Sequence, residues 1–255
     1  MTGGSTSTVS EHRTAGCTPP RLDLEEWQVK YGVVAGITGA EDGFDLGLWG
    51  TKPSGGVLRQ WRAFQDSFEP SFGQFVVGCQ HHGTQVGRWQ GIQRGLVVRD
   101  GFDGHLTTDP GTLLTVLVAD CVPVYLLDPA SEAVALLHAG WRGIAGGILS
   151  AGIEQLEAAG TTNIQNLVMH CGVSVCGRCY EVGPEVIGEV TGRNVDRAET
   201  LDLRSVLAKQ AAQFGIRQVT VSPFCTVHDS ELFHSYRAHG ERAGRMAAYL
   251  GVPLS

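Results

Sequence analysis

The chain has 255 residues and a formal net charge of −7, from 19 Lys and Arg residues against 26 Asp and Glu residues. A protein that binds nucleic acid or an anionic membrane needs clustered cations, so this balance argues against both functions. Hydrophobic residues make up 42% of the chain and charged residues 18%, which supplies a packed core and excludes wholesale disorder. The length fits one α/β domain or two closely packed halves.

Seven cysteines are the most informative feature of the composition. An odd number cannot pair completely, and a chain of this size does not need disulfides, so we expect thiols that are reduced, metal-bound or catalytic. Residues 1–22 are rich in Gly, Ser and Thr without the apolar core of a signal peptide, which predicts a disordered tail. No apolar stretch approaches the roughly 18 residues that cross a bilayer. These features favour a soluble, cytoplasmic protein.

The spacing of apolar residues predicts the elements in chain order. Helical spacing of Val57, Trp61, Phe64 and Phe68 predicts an amphipathic helix over residues 57–68. Short Val-rich runs then predict buried strands at residues 75–79, 95–98, 113–118, 122–127 and 133–138. The later pattern predicts strands at 167–171 and 218–222 and helices at 144–159, from about 185, at 203–214 and at 241–250. Together they indicate an α/β fold, a layered mixed sheet covered by helices.

Side chains of the metal-ligand type recur at the ends of three predicted strands. The segments are Gln80-His81-His82-Gly83, Ala119-Asp120-Cys121-Val122-Pro123 and His138-Ala139-Gly140-Trp141-Arg142-Gly143. One cysteine and two histidines can hold zinc and leave one position open, which is the catalytic rather than the structural pattern. His81 and His82 point to opposite faces of an extended chain, so we expect at most one of them to bind. The alternative is that Cys121 and His138 simply pack in the core.

Cys171, Cys176 and Cys179 form a second group, with the spacing of a plant-type ferredoxin motif. An iron–sulfur cluster would need a fourth cysteine, from Cys121 or Cys225. Nothing like the thioredoxin pattern surrounds Cys176 and Cys179, which argues against a redox pair. We therefore expect two of the three cysteines in this group to have no chemical role.

Arginines form the third group, at residues 62, 142, 237 and 245. A guanidinium group donates two parallel hydrogen bonds and so suits phosphate or carboxylate, although most arginines are simply solvated. Glycine motifs that bind nucleotides are absent, and so is the Gly-x-Ser-x-Gly element of serine hydrolases. These absences argue against both of those functions.

Taken in order, the segments resemble the laccase-domain proteins, a family also described as multicopper polyphenol oxidases and zinc-dependent purine nucleoside phosphorylases. The matching residues are 80–86, Thr107 with Pro110-Gly111, 119–124, 138–143, 179–183, 201–203, Cys225-Thr226, 233–237 and Gly244-Arg245. The resemblance covers about residues 35–250. It implies a single catalytic domain of the laccase-domain, cysteine-hydrolase-like type, which we place at residues 23–255.

The resemblance also implies a site and an activity. It implies a metal ion held by His82, Cys121 and His138, with zinc as the cofactor and copper as the alternative. It implies phosphorolysis of purine nucleosides, including methylthioadenosine, and deamination of adenosine, so purine nucleosides and phosphate are the expected partners. The residues that we assign to substrate or phosphate binding are Arg62, Gln80, Arg142 and Arg237.

Some residues depart from the family pattern, and other functions stay open. The loop at 172–178 lacks two prolines that the family commonly has and contains Arg178, while Trp61 stands where asparagine is usual before Arg62. One alternative function is a copper-dependent polyphenol oxidase, for which nine histidines are few. Another is a thiol hydrolase with Cys121 as nucleophile and His138 as base. The last is a binding module without activity.

Overall fold

A computed structural model describes residues 6–14, 16, 18–49, 54–91, 93–161 and 163–254. The strands over this part of the chain are β1 Thr6–Thr8, β2 His12–Arg13, β3 Arg21–Asp23, β4 Val34–Thr38, β5 Gln74–Cys79, β6 Val86–Trp89, β7 Gly95–Asp100, β8 Gly104–Thr107, β9 Thr112–Val118, β10 Val122–Asp128, β11 Ala133–Ala139, β12 Val168–Cys171, β13 Glu181–Val182, β14 Glu199–Thr200, β15 Gln218–Val221 and β16 Met246–Gly251. The helices are α1 Glu25–Tyr31, α2 Ser54–Asp66, α3 Trp141–Gly146, α4 Ile148–Ala159, α5 Pro184–Thr191, α6 Leu203–Phe214 and α7 Tyr236–His239. Short 3-10 turns occur at Glu41–Gly43, Ile164–Asn166 and Gly240–Arg242.

Two mixed sheets, each of seven strands within the described ranges, form the centre of the molecule. Sheet A has the order β1-β15-β12-β10-β11-β8-β6, and sheet B has the order β2-β3-β4-β16-β9-β5-β7. In sheet A, β10 runs antiparallel to β11, with Val122 opposite Ala139. In sheet B, β5 runs parallel to both β7 and β9. The predicted class, a layered α/β fold with mixed sheets, is confirmed.

Three apolar clusters hold the layers together. One joins the facing sides of the two sheets, where Val116 of β9 packs in the same cluster as Leu127 of β10. Another lies between sheet A and helices α3 to α6. The third lies between sheet B and α2, around Trp61 and Phe64. Strands buried on both faces read as continuous apolar runs, which is why the sequence shows β9 to β11 so clearly.

Two helices predicted from the sequence need correction. The helix predicted over 144–159 is two helices, α3 and α4, because Gly147 between them has φ of 90° and a left-handed residue interrupts an α-helix. The helix predicted over 241–250 is wrong, since Met246–Gly251 forms strand β16. Ala, Met and Leu favour helices locally, but β16 pairs on both sides with β4 and β9 and is buried throughout. Tertiary pairing therefore overrides local propensity.

The predicted tail contributes to both sheets where the structure describes it. Thr6–Thr8 pairs in parallel with β15, and His12–Arg13 pairs with β3. Between these strands Glu11 is buried, and its carboxylate accepts hydrogen bonds from His170 and Ser222. Residues 1–5, 15 and 17 lie outside the described residues. The described part of this segment is therefore packed against the domain that we predicted for residues 23–255.

Two further findings bear on the expectations from composition. None of the helices in the described ranges is long and apolar enough to cross a membrane. The six cysteines that the structure describes are all free thiols. Cys17 lies outside the described residues.

Candidate metal centre

The three segments with metal-ligand side chains meet at one edge where the two sheets face each other. His82 follows β5, Cys121 precedes β10, and His138 lies near the end of β11. One ligand atom from each of the three side chains lies within 4.8 Å of the other two. His138 is buried, Cys121 is half-buried and His82 is exposed. The group therefore offers two imidazole nitrogens and one sulfur around a point that is open on one side.

The Asp103 carboxylate holds two of the three ligands in place. Its Oδ1 accepts a hydrogen bond from the backbone N–H of His82 at 2.9 Å and from Nδ1–H of His138 at 2.8 Å. Its Oδ2 accepts from the N–H groups of Gly83 at 2.8 Å and His81 at 3.0 Å. With Nδ1 of His138 engaged by this hydrogen bond, Nε2 is the nitrogen left to bind a metal, which is how metal-binding histidines are commonly oriented.

Close packing of Gly140 lets the remaining ligands approach each other. A Cβ atom at this position would lie 3.0 Å from Sγ of Cys121 and 3.0 Å from Cδ2 of His82. His82 itself has φ of 58°, a left-handed conformation that is rare for a residue other than glycine. Unusual backbone conformations of this kind often occur where function requires them. The donor set and its support fit a zinc or copper ion.

The Cys121 and His138 side chains shift each other's pKa. Burial by itself would raise the pKa of the Cys121 thiol, but the charge and hydrogen bond of His138, and then His82, lower this pKa to about 6. Burial would lower the pKa of His138, but the Cys121 charge and the Asp103 hydrogen bond raise it to about 9. Each of the two groups thus stabilises the charged form of the other, and binding of a metal at Nε2 of His138 would release the proton from this nitrogen.

This shift predicts how Cys121 reacts with iodoacetamide. In metal-free protein its alkylation rate should rise with pH through a midpoint near 6, because only the thiolate reacts. Cys171 is the internal control, since burial raises its pKa to about 12 and it should stay unmodified. Peptide mass mapping across a pH series measures both residues. A midpoint in the ordinary thiol range, or fast alkylation of Cys121 in metal-loaded protein, would contradict the assignment.

His82, Cys121 and His138 lie in a pocket of about 720 Å³. This volume is in the range of sites that enclose a small molecule. Besides the three ligands, the lining residues are Gly47, Trp49, Cys79, Gln80, Leu117, Ala119, Asp120, Trp141, Arg142, Tyr180, Tyr236, Arg237 and Arg245. The pocket thus combines aromatic faces with guanidinium groups around the metal ligands.

Comparison with known proteins identifies the family. The family model described as multi-copper polyphenol oxidoreductase laccase matches residues 31–253. The chain belongs to this laccase family. The family resemblance predicted from the motifs is therefore confirmed.

Several relatives of this laccase-family chain carry a different functional name. It is 35% identical to purine nucleoside phosphorylase ORF3 of Streptomyces griseus over 178 residues, which cover 67% of this chain and 71% of that protein. It is 26% identical to purine nucleoside phosphorylase YlmD of Bacillus subtilis strain 168, over 92% of this chain and 95% of that protein. The crystal structure of YlmD from Geobacillus stearothermophilus matches with a TM-score of 0.86 and 25% identity, over 94% of this chain and 98% of that one.

Two of the three arginines predicted as substrate contacts, Arg142 and Arg237, line the laccase-family pocket, and Arg245 joins them. The Arg142 guanidinium lies 4.2 Å from the centre of the Trp141 ring. Arg62 is exposed on α2 and does not belong to the pocket lining. Its helix packs against sheet B through Trp61, the neighbour of Arg62 in the chain. The arginines in reach of a pocket ligand are therefore 142, 237 and 245.

Gln80 lines the pocket, but its amide is already bonded. Its Nε2 donates to the Leu117 carbonyl at 2.8 Å, and its Oε1 accepts from the Leu117 N–H at 2.7 Å. This pair of bonds ties the loop after β5 to strand β9. The neighbouring His81 points away from the metal group, with Nε2 3.0 Å from Asp100. The structure therefore assigns Gln80 a supporting position and leaves His82 to face the other ligands.

Asp120 positions the segment that carries Arg237. Its φ is 91°, and its Oδ2 accepts from the Arg237 N–H at 2.5 Å. Its Oδ1 accepts from the hydroxyls of Thr226 at 2.5 Å and Ser235 at 2.7 Å. The Arg237 guanidinium in turn lies 5.0 Å from the centre of the Tyr180 ring. Asp120 thus fixes the part of the pocket wall that carries Arg237.

A second group of ligand-type side chains lies outside the pocket lining. Cys176, Cys179, Cys225 and His228 bring one ligand atom each within 4.8 Å of the others, so this group could hold a metal ion. Cys171 does not belong to it and is buried in the core on β12. Sequence reasoning did not single out His228. The signal was present, since Cys225-x2-His228 repeats the spacing of Cys176-x2-Cys179.

Proposed function

We propose that this chain is a zinc-dependent purine nucleoside phosphorylase. The observation that carries the proposal is that His82, Cys121 and His138 share one pocket with Arg142 and Arg237. A metal site beside guanidinium groups suits a reaction in which phosphate is held while negative charge develops on a leaving group. Relatives that cover most of this chain are named purine nucleoside phosphorylases.

The lining residues suit a purine base and the phosphate ion that reacts with the nucleoside. Trp141, Tyr180 and Tyr236 offer flat aromatic faces on which a purine base can stack. Arg142 and Arg237 offer bidentate donors for a phosphate ion. Since Asp120 holds the backbone of Arg237 and the Tyr180 ring lies against its guanidinium, this donor is oriented before substrate binds. Such preorganisation is what makes electrostatic stabilisation effective.

The reaction displaces a purine from the anomeric carbon of ribose. A phosphate oxygen forms a bond to this carbon while the glycosidic C–N bond breaks, and the departing base takes up a proton from solvent. The products are the free base and ribose 1-phosphate. A zinc ion held by His82, Cys121 and His138 would supply a Lewis acid that neutralises charge near the reacting groups. The arginines orient phosphate, and Asp103 keeps the His138 ring in its ligand orientation.

We extend the proposal to adenosine deamination and to phosphorolysis of methylthioadenosine. In deamination, water adds to the purine carbon that bears the amino group and ammonia leaves, a reaction that zinc sites of other deaminases support. Methylthioadenosine differs from adenosine only at the 5′ position, so phosphate and the base would use the same contacts.

The test is incubation of zinc-loaded protein with adenosine, with and without phosphate, followed by chromatography. We expect adenine and ribose 1-phosphate only when phosphate is present, and inosine with ammonia in both samples. Methylthioadenosine with phosphate should yield adenine. Absence of every product would overturn the proposal. Oxygen uptake with a phenol, in proportion to bound copper, would favour the oxidase instead.

Arginine variants test the phosphate site. Arg142→Met and Arg237→Met should each raise the KM for phosphate about 10- to 100-fold, because a hydrogen bond from a charged group contributes about 1.5–3 kcal/mol. The KM for the nucleoside should change much less. Arg88→Met is the matched control, since Arg88 is exposed and bonds to the Ala158 carbonyl on α4. An unchanged KM for phosphate in both pocket variants would remove these arginines from the site, and a raised one in Arg62→Met would restore the sequence prediction.

A further inference from the structure

We propose that Cys176, Cys179, Cys225 and His228 bind a second zinc ion, which is structural and fixes two loops at the wall of the pocket. The site is separate from the His82, Cys121 and His138 group and does not depend on the proposed activity. Sequence spacing, the distances between the ligand atoms and the hydrogen bonds of the two loops support it.

The ligands come as two pairs with the same spacing. Cys176-x2-Cys179 lies in the loop after β12, and Cys225-x2-His228 lies in the loop after β15. Pairs separated by two residues are typical of structural zinc sites, because one tight turn aims both side chains at one point. Here the Cys179 N–H donates to the Cys176 carbonyl at 3.0 Å, which closes the first turn.

Asp229 shapes the second turn. Its N–H donates to the Cys225 carbonyl at 2.8 Å, and its Oδ2 accepts from the Cys225 N–H at 2.8 Å. The two loops also touch through a parallel bridge between Ser174 and Cys225. Both pairs of ligands therefore stand on defined backbone rather than on free chain.

The distances between ligand atoms are close to those of a tetrahedral zinc site. Zn–S bonds of about 2.3 Å and Zn–N bonds of about 2.0 Å place two sulfurs about 3.8 Å apart and a sulfur and nitrogen about 3.5 Å apart. Sγ of Cys179 lies 3.2 Å from Nε2 of His228, and Sγ of Cys176 lies 3.8 Å from Nδ1. All four ligand atoms fall within 4.8 Å of one another. The two distances are to different nitrogens of the ring, of which one would bind the ion together with the three sulfurs.

The donor set indicates a closed site that holds zinc for structure. Three thiolates and one imidazole fill four positions and leave none for substrate. The backbone N–H of Cys176 points at Sγ of Cys225, 3.3 Å away, and such a donor supports the thiolate form that zinc requires. A simple disulfide between Cys176 and Cys179 would leave the convergence of Cys225 and His228 without a purpose.

Both loops continue into the pocket wall. Tyr180 follows Cys179 directly, and the segment after His228 leads to Arg237. The same loops are bonded to Asp120, through the Val175 N–H to its carbonyl and the Thr226 hydroxyl to its carboxylate. A zinc ion across the loops would thus fix Tyr180 and Arg237 relative to the first metal group. The loop in which this chain lacks two prolines is the one that the ion would hold.

The experiment counts zinc in full-length protein whose first site is disabled. In a His82→Ala/Cys121→Ser variant, we expect about one zinc ion per chain after dialysis, measured by elemental analysis. Adding Cys179→Ser and His228→Ala should remove it and lower Tm by several degrees. Cys171→Ala in the same background is the matched control and should retain the zinc, because the Cys171 side chain is buried in the core and is not one of the four ligands.

Cobalt gives a second readout that does not need the loop variants to fold well. Cobalt added to the His82→Ala/Cys121→Ser protein should show tetrahedral absorption bands and charge-transfer intensity appropriate to three thiolates. Retention of no metal by this folded variant would overturn the proposal, as would a Cys176–Cys179 disulfide in protein purified with a reductant. Failure of the nucleoside assay would leave these results unchanged, so the two proposals are tested separately.

Discussion

An Asp103→Asn variant should bind zinc in the pocket about 10- to 100-fold more weakly than the wild-type protein, because loss of a carboxylate behind a histidine ligand typically has this effect. The carboxylate accepts four hydrogen bonds, and an asparagine in its place turns an NH2 group toward two of the four donors. Leaving buried donors unsatisfied should also lower the free energy of unfolding by about 3 kcal/mol. Metal titration and denaturant unfolding measure the two effects.

The stability loss should depend on pH. His138, Gly83 and His81 outweigh burial and hold the pKa of Asp103 below its ordinary value. The stabilisation from this carboxylate is therefore complete above the unfolded-state pKa and is lost as pH falls through the lower folded-state pKa. The difference between wild type and Asp103→Asn should accordingly shrink in acid.

Asp100→Asn is the control for the same chemical change nearby. Asp100 is exposed, and its carboxylate contacts the His81 ring and the Cys79 thiol. Metal affinity and unfolding should stay close to wild type in this variant. Equal losses in both variants would show that the effect is not specific to the carboxylate behind the ligands.

Elements with local signals were predicted well. Helix α6 lies at Leu203–Phe214, as predicted, because the sequence has a capping residue at each end of this helix. Asp202 accepts hydrogen bonds from the first turn, and Gly215 takes the left-handed conformation that ends the helix. Strand β16 shows the opposite case. Its Ala-rich sequence favours a helix, and only its neighbours β4 and β9 make it a strand.

The residues of the candidate site likewise differ in whether the sequence alone could identify them. His82, Cys121 and His138 stand in recognisable motifs, so the sequence could single them out before the fold was known. Asp103 stands in no motif, and its partners lie 20 to 35 residues away in the chain. Arg62 is absent from the pocket lining. A helical pattern identifies the buried face of α2 but not which part of the fold its exposed face lies near. Contacts across elements are what the sequence alone does not provide.

Replacing Cys121 by serine should abolish binding of the pocket metal and lower kcat/KM for phosphorolysis at least about 10³-fold, which corresponds to about 4 kcal/mol of lost transition-state stabilisation. Serine keeps the size of the side chain, but its hydroxyl does not ionise near neutral pH and is a poor zinc ligand. The fold should survive, since Cys121 is half-buried just before strand β10 and does not belong to an apolar cluster. Circular dichroism, metal content and product formation are measured on one preparation.

The controls separate a metal ligand from a thiol nucleophile. Cys171→Ala removes another cysteine from the same sheet and should keep both metal and activity. In Cys121→Ser the total zinc should fall from two ions per chain to one, since the Cys176, Cys179, Cys225 and His228 group is intact. A nucleophile would instead leave the metal content unchanged while activity disappears. If Cys121 holds a metal that the reaction requires, zinc and turnover are lost together in this variant. Activity that persists after the pocket metal is gone would assign the chemistry to the other residues of the pocket.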